Sequence, residues 1–163
     1  MTLNIRRLSH ALGAEVIGID LGKAIDDQAY GEIHSAFLAH CVLLFREQSL
    51  TREQHIAFSR RFGELDRNEA KTHERPAGYP EITLVISRPK PNGEPATGRY
   101  TGAEWHTDHS NYPIAAAASL LRAIEVPEIG GDTMFCNMYR AYESLSDGMK
   151  NLVAGLYGVH MQG

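Results

Sequence analysis

Residues 105–110 read Trp-His-Thr-Asp-His-Ser, WHTDHS. His106 is the only His of this chain with an Asp or Glu two residues after it. On a strand, residues i and i+2 point to the same face, so His106 and Asp108 would project together and Thr107 opposite. An imidazole beside a carboxylate can hold two adjacent positions of an octahedral metal. A second His from elsewhere would complete a 2-His-1-carboxylate face with three positions left open, the ligand set of non-haem Fe(II) chemistry. The same two residues also make an ordinary hydrogen-bonded His–Asp pair on a surface. A zinc site of His106, Asp108 and His109 is a third reading. Its i, i+3 spacing of imidazoles suits a helix, which the neighbouring Gly and Pro oppose.

Composition narrows the setting. The chain has 163 residues, enough for one domain with a real core. Hydrophobic residues make up 43% and charged residues 22%, the balance of a soluble globular protein. A net charge of -4 gives no general attraction to nucleic acid or to an anionic membrane. The longest apolar run, AFLAHCVLLF, is too short to span a bilayer, and the N-terminus has no signal-peptide apolar region. Cys41 and Cys136 lack CxxC spacing, which argues against a disulfide framework or a Cys-type zinc site and for the cytoplasm.

Outward from WHTDHS, periodicity organises the chain. AEVIGIDL (14–21) alternates as a strand. Asp26 or Asp27 caps a helix in which Tyr30, Ile33, Phe37 and Leu38 recur at helical spacing. CVLLFRE (41–47) reads as a buried strand. Thr51 and Gln54 match a capping box that opens a helix through Phe62, with Gly63 as its stop. EITLVIS (81–87) reads as a strand. Residues 88–104 hold three Pro and three Gly and form a long loop leading into WHTD. AAAASLLRAIEV (115–126) fits helix or strand. Gly130-Gly131-Asp132 makes a turn before a strand at 133–138, and two helical segments follow, the second capped by Ser146. Thr133 by itself reads as a strand Thr after a turn, and Trp105 as a packing residue beside the metal strand.

Several stretches taken in order resemble the taurine and 2,4-dichlorophenoxyacetate dioxygenase family of Fe(II)- and 2-oxoglutarate-dependent enzymes. They are LGAEVIGIDL, HCVLLFREQSLTREQHIAFSRRFGEL, GYPEI, WHTD, EVPEIGGDTMF, NMYRAYESL and GLYGVH, and together they cover nearly the whole chain. The resemblance implies a mainly β fold with flanking helices (α+β), a double-stranded β-helix or jelly roll. Residues 1–163 would be a single domain, the N-terminal portion of that jelly roll, incomplete on its C-terminal side.

The resemblance also implies roles. His106 and Asp108 match the first two iron ligands. Asp108 fills the position that related halogenases leave empty, which implies hydroxylation. Thr133 matches the residue that helps bind the distal carboxylate of 2-oxoglutarate. The distal His ligand and the Arg of the carboxylate clamp are expected further along the family pattern. Arg122, Arg140 and His160 do not match them. Where taurine enzymes carry an Asn, this chain has Gly102, and its segment 66–80 aligns loosely, with His73 or Asn68 near the expected place. Taurine is therefore disfavoured. Arg88, Arg99 and Tyr100 are placed to meet an anionic substrate. The expected reaction consumes O2 and 2-oxoglutarate, hydroxylates a small anionic substrate and releases succinate and CO2. Sulfonates, sulfate esters and aryloxy acids are the candidate substrates. The family also implies a homo-oligomer. The alternative is a non-catalytic jelly-roll binding protein, or an inactive fragment keeping half a metal site.

Overall fold

The computed structural model describes residues 2–66, 75–86, 92–93 and 104–160. Two compact units divide the chain. One comprises Met1–Gln54 with Leu121–Val159, and the other His55–Leu120 with His160–Gly163.

The first unit is built on a three-stranded sheet in the order β1-β2-β3. Strands β1 (Asn4–Arg7) and β2 (Ala14–Ile17) pair antiparallel, with Ile5 opposite Val16 and Arg6 opposite Glu15. Strand β3 (Leu43–Leu44) joins β2 in parallel, Ala14 opposite Leu43. Gly13 makes the connection possible. Its φ of 91° suits a residue without a Cβ, and its carbonyl accepts from Leu8 N at 2.9 Å while its own N–H donates to His40 O at 2.8 Å.

Helix α1 (Asp27–His40) provides the parallel crossover between β2 and β3. Asp26 caps it by accepting from Ala29 N at 2.7 Å. Cys41 ends it in the left-handed region at φ 64°. Ile33 and Ala36 face inward and join Ala14, Val16, Leu21 and Leu50 in the core, with Ile33 fully buried. Of the predicted helical stripe, Leu38 lies on the exposed side instead, because it is one position beyond the inward Phe37 face. Glu15 is a buried charge, bridged by Arg6 and by Arg46 Nε at 3.3 Å. Its position on the central strand is tolerable because both guanidinium groups answer it. Gln48 stitches the 19–21 segment down, donating to Ile19 O and accepting from Leu21 N.

Thr51 and Gln54 form the expected reciprocal box: Thr51 N donates to Gln54 Oε1 at 2.7 Å and Gln54 N to Thr51 Oγ1 at 3.2 Å. Helix α2 (Arg52–Ser59) follows and tightens into a 3-10 turn, Arg60–Phe62, that Gly63 terminates at φ 144°.

Later in the first unit, Asn137 starts α3 (Met138–Glu143) by accepting from Arg140 N at 3.1 Å. The same side chain donates to Ala11 O at 2.8 Å, and Arg140 Nη1 reaches His10 O at 3.1 Å. Helix α4 (Asp147–Val153) carries its Ser146 cap as the sequence predicts.

Five strand expectations change. The strand predicted at 14–21 stops at Ile17, and the one at 41–47 shrinks to two half-buried residues. Residues 81–86 and 133–137 form no strand, Met138 already belongs to α3, and 106–108 is irregular before a turn. Strands exist only where a neighbouring backbone answers their N–H and C=O groups. Among the described residues that neighbour is present only around β2. The described residues therefore hold a small sheet with helices, and the jelly roll itself is not formed by them.

Candidate metal centre

The WHTDHS segment lies in the second unit. It runs irregularly through Thr107 and then turns: Ser110 N donates to Thr107 O at 3.2 Å and Tyr112 N to His109 O at 3.0 Å. His109 takes a positive φ of 56°, which reverses the chain directly after Asp108. The shared face predicted for a strand is thus replaced by a turn.

The turn still brings His106 and Asp108 together. His106 Nε2 lies 3.2 Å from Asp108 Oδ1. Both side chains are about half exposed, at 54% and 52%. His106 Nδ1 lies 2.8 Å from the Glu104 carbonyl oxygen. That oxygen can only accept, so Nδ1 carries a proton and Nε2 is the nitrogen directed at the carboxylate. The Glu104 carbonyl, more than the charge of Asp108, holds the His106 pKa above its ordinary value, and slight burial works against both.

A carboxylate is also acceptor-only when ionised. A second proton on the ring, or a cation shared by both atoms, would relieve the encounter of its oxygen with Nε2. Cis donors of an octahedral ion at about 2.1 Å lie about 3 Å apart. The 3.2 Å separation fits that edge. An imidazole anchored through Nδ1 to a carbonyl is also the usual support of an Nε2 ligand.

Two partners escape sequence reading. One is the Glu104 carbonyl. The other is Ser119, whose hydroxyl donates to Asp108 Oδ2 at 2.6 Å. Ser119 sits in an Ala-rich run whose composition carries no signal for this contact. His160 Nδ1 lies 3.0 Å from Ser110 Oγ, so it touches the turn, and not as a ligand.

The remaining candidates separate clearly. His109 stacks on Tyr112, centroids 4.9 Å apart, which does not support the zinc reading. Among the described residues no three His, Cys, Asp or Glu side chains converge to hold a metal. Trp105 is 69% exposed, not packed as expected, because the segment has turn geometry and no sheet among the described residues lies beneath it. Thr133 belongs to the first unit, exposed, just after Gly130 and Gly131 at φ 78° and 76°, the predicted turn. His73, Gly102, Arg99 and Tyr100, with Asn68 and Arg88, lie outside the described residues. No helix among the described residues is long and apolar enough to cross a membrane.

Comparison with known proteins places the chain in a family. Residues 4–163 match the family described as taurine catabolism dioxygenase TauD, TfdA family. The alpha-ketoglutarate-dependent 2,4-dichlorophenoxyacetate dioxygenase of Cupriavidus pinatubonensis is 34% identical over 98% of this chain and 58% of its own length. An alpha-ketoglutarate-dependent sulfate ester dioxygenase of Pseudomonas putida is 28% identical over 98% of this chain and 50% of its own. A crystal structure of a taurine dioxygenase from Burkholderia xenovorans superposes with a TM-score of 0.80 at 36% identity, over the full chain and 55% of that protein. The chain belongs to the TauD/TfdA family. It spans about half the length of the relatives it matches.

Proposed function

We propose that the whole protein is an Fe(II)- and 2-oxoglutarate-dependent dioxygenase hydroxylating a small anionic organic substrate. The net reaction takes substrate R–H, O2 and 2-oxoglutarate to R–OH, succinate and CO2. The observation that carries this reading is the His106 Nε2–Asp108 Oδ1 edge, with Nδ1 already committed to Glu104.

Bound Fe(II) would supply the oxygen activation and electron transfer that no side chain can provide. The residues of this chain have simpler tasks. His106 offers an unprotonated Nε2 once its second proton leaves. Asp108 contributes one negative charge and one oxygen donor. Thr133 donates its hydroxyl to a carboxylate of 2-oxoglutarate. The third ligand and the cationic partner of 2-oxoglutarate come from the part of the family's length that this chain does not span. Arg99 and Tyr100 meet the anionic end of the substrate, and His73 and Gly102, which stand where taurine enzymes carry substrate-binding residues, are the other substrate-side candidates. The relatives' names include aryloxy acid and sulfate ester substrates and also taurine, and the preference for the first two rests on Gly102, where taurine enzymes carry an Asn. The jelly-roll architecture, the cytoplasmic setting and homo-oligomeric assembly belong to the same proposal.

Anaerobic titration with Fe(II) in the presence of 2-oxoglutarate tests it. A visible charge-transfer band is expected, absent in His106→Ala and Asp108→Ala. A folded protein that shows no band dependent on these two residues would sink the reading. Substrate screening by succinate release would then begin with aryloxy acids, sulfate esters and sulfonates.

A further inference from the structure

We propose that Ser119 is a positioning residue of this centre: its hydroxyl holds Asp108 Oδ2, so that the carboxylate presents Oδ1 alone beside His106 Nε2. This rests on the metal reading above and names a residue that the family motif does not contain.

The contact is short. Ser119 Oγ lies 2.6 Å from Asp108 Oδ2, within the range of hydroxyl donors to ionised carboxylates. Asp108 needs such a partner. Its side chain is half exposed, and rotation about the terminal carboxylate torsion is soft. Left alone, the two oxygens would exchange places and chelate a cation together. With Oδ2 engaged by Ser119 and Oδ1 directed at Nε2, the carboxylate plane is held at both ends. A bidentate carboxylate would consume a position that cosubstrate or oxygen must enter. The neutral hydroxyl has a further advantage over Lys or Arg. It orients the carboxylate without cancelling the charge that attracts the cation.

The geometry depends on the turn. His109 in the left-handed region reverses the chain, and Ser119 returns from eleven residues downstream. Glu104 and Ser119 therefore flank the pair from opposite sides in sequence, one fixing the imidazole and the other the carboxylate.

The test uses the whole protein, including the part of the family's length beyond these 163 residues, and Co(II). Trp105, the single Trp of residues 1–163, adjoins His106 and is exposed, so its quenching reports binding. The parent should bind Co(II), and His106→Ala and Asp108→Ala should not. Ser119→Ala should weaken binding about 10- to 100-fold, the usual loss when an outer partner of a ligand is removed. Its visible Co(II) bands should change shape as Asp108 turns bidentate. Ser119→Thr keeps the hydroxyl and should restore both affinity and spectrum. Ser119→Ala matching the parent in affinity and spectrum, with Asp108→Ala still defective, overturns the role of Ser119 and leaves the metal reading intact. Equal losses in Ser119→Ala and Ser119→Thr overturn it too, because the hydroxyl is then not the agent. Quenching indifferent to both His106→Ala and Asp108→Ala overturns the metal reading and this inference together.

Discussion

The segment 2–50 and the segment 104–160 are similar in apolar content and opposite in what they do with it. In the first, Ala14, Val16, Leu21, Ile33, Ala36 and Leu50 are buried between a sheet and a helix. In the second, Ile114, Leu121, Ile124, Val126, Ile129, Met134 and Phe135 are all exposed, and none lies in a regular element. The difference is one of partners. In residues 2–50 the strands lie close together in sequence, and a single helix supplies the crossover. Residues 104–137 carry the same kind of side chains, but no described strand lies against them. Apolar sequence prepares a strand, and a neighbouring backbone makes one.

The largest expected break of that comparison is in the core. Ile33→Ala should cost about 2–5 kcal/mol, because a fully buried branched side chain leaves a cavity. Ile129→Ala, at 89% exposure, should change stability by less than about 0.5 kcal/mol. Urea unfolding of both variants measures the contrast, and similar losses would mean that the second segment is packed in solution.

The candidate site gives the next effect, in pH. The Glu104 carbonyl first, and Asp108 second, raise the His106 pKa. Below that raised value Nε2 holds a proton that a cation must displace. Metal affinity should therefore climb about tenfold per pH unit below it and level off above it. Co(II) titrations at a series of pH values check the slope, and a flat profile would remove His106 as a ligand. The metal-free protein has the reverse sign. A raised folded pKa means that the His106–Asp108 pair stabilises the fold at pH below the ordinary His value. That contribution fades as pH rises through the raised one. Half exposure keeps it small.

Helix α3 sharpens the comparison from the other side, since it is an ordered element of the later segment. Asn137→Ala removes both its cap and the contact with Ala11 O, and should cost about 1–2 kcal/mol. Thermal unfolding against Ser146→Ala, which loses a cap alone, separates the two roles. The smallest effect is a gain. Cys41→Gly should stabilise by up to about 1 kcal/mol, because Gly adopts the left-handed conformation of this helix end without a Cβ penalty. A loss on substitution would mean that the Cys41 side chain contributes more packing than its partial burial implies.

Features closed within three or four residues were legible in the sequence. The Asp26 and Ser146 caps, the Thr51–Gln54 box, the Gly63 stop and the Gly130-Gly131 turn all depend on neighbours a turn away, so the local pattern contains the whole interaction. The pairing of His106 with Asp108 was legible as a spacing, although a turn and not a strand brings them together. That 81–86 and 133–137 form no strand was not legible, because a strand needs partner backbones that are not neighbours in sequence. Trp105 was expected inside for the same reason. Ser119 was invisible because a hydroxyl in an Ala-rich run has no meaning until the chain reverses at His109.

By itself the sequence determined the starts of α1, α2 and α4, the family and the identity of the His-Asp pair. These follow from short-range hydrogen bonding and from an ordered set of motifs. Only the tertiary structure decided which apolar residues are buried, which nitrogen of His106 faces Asp108, and which side chain steadies the carboxylate. Those outcomes depend on groups distant in sequence meeting in space, and a linear pattern does not encode the distances at which they meet.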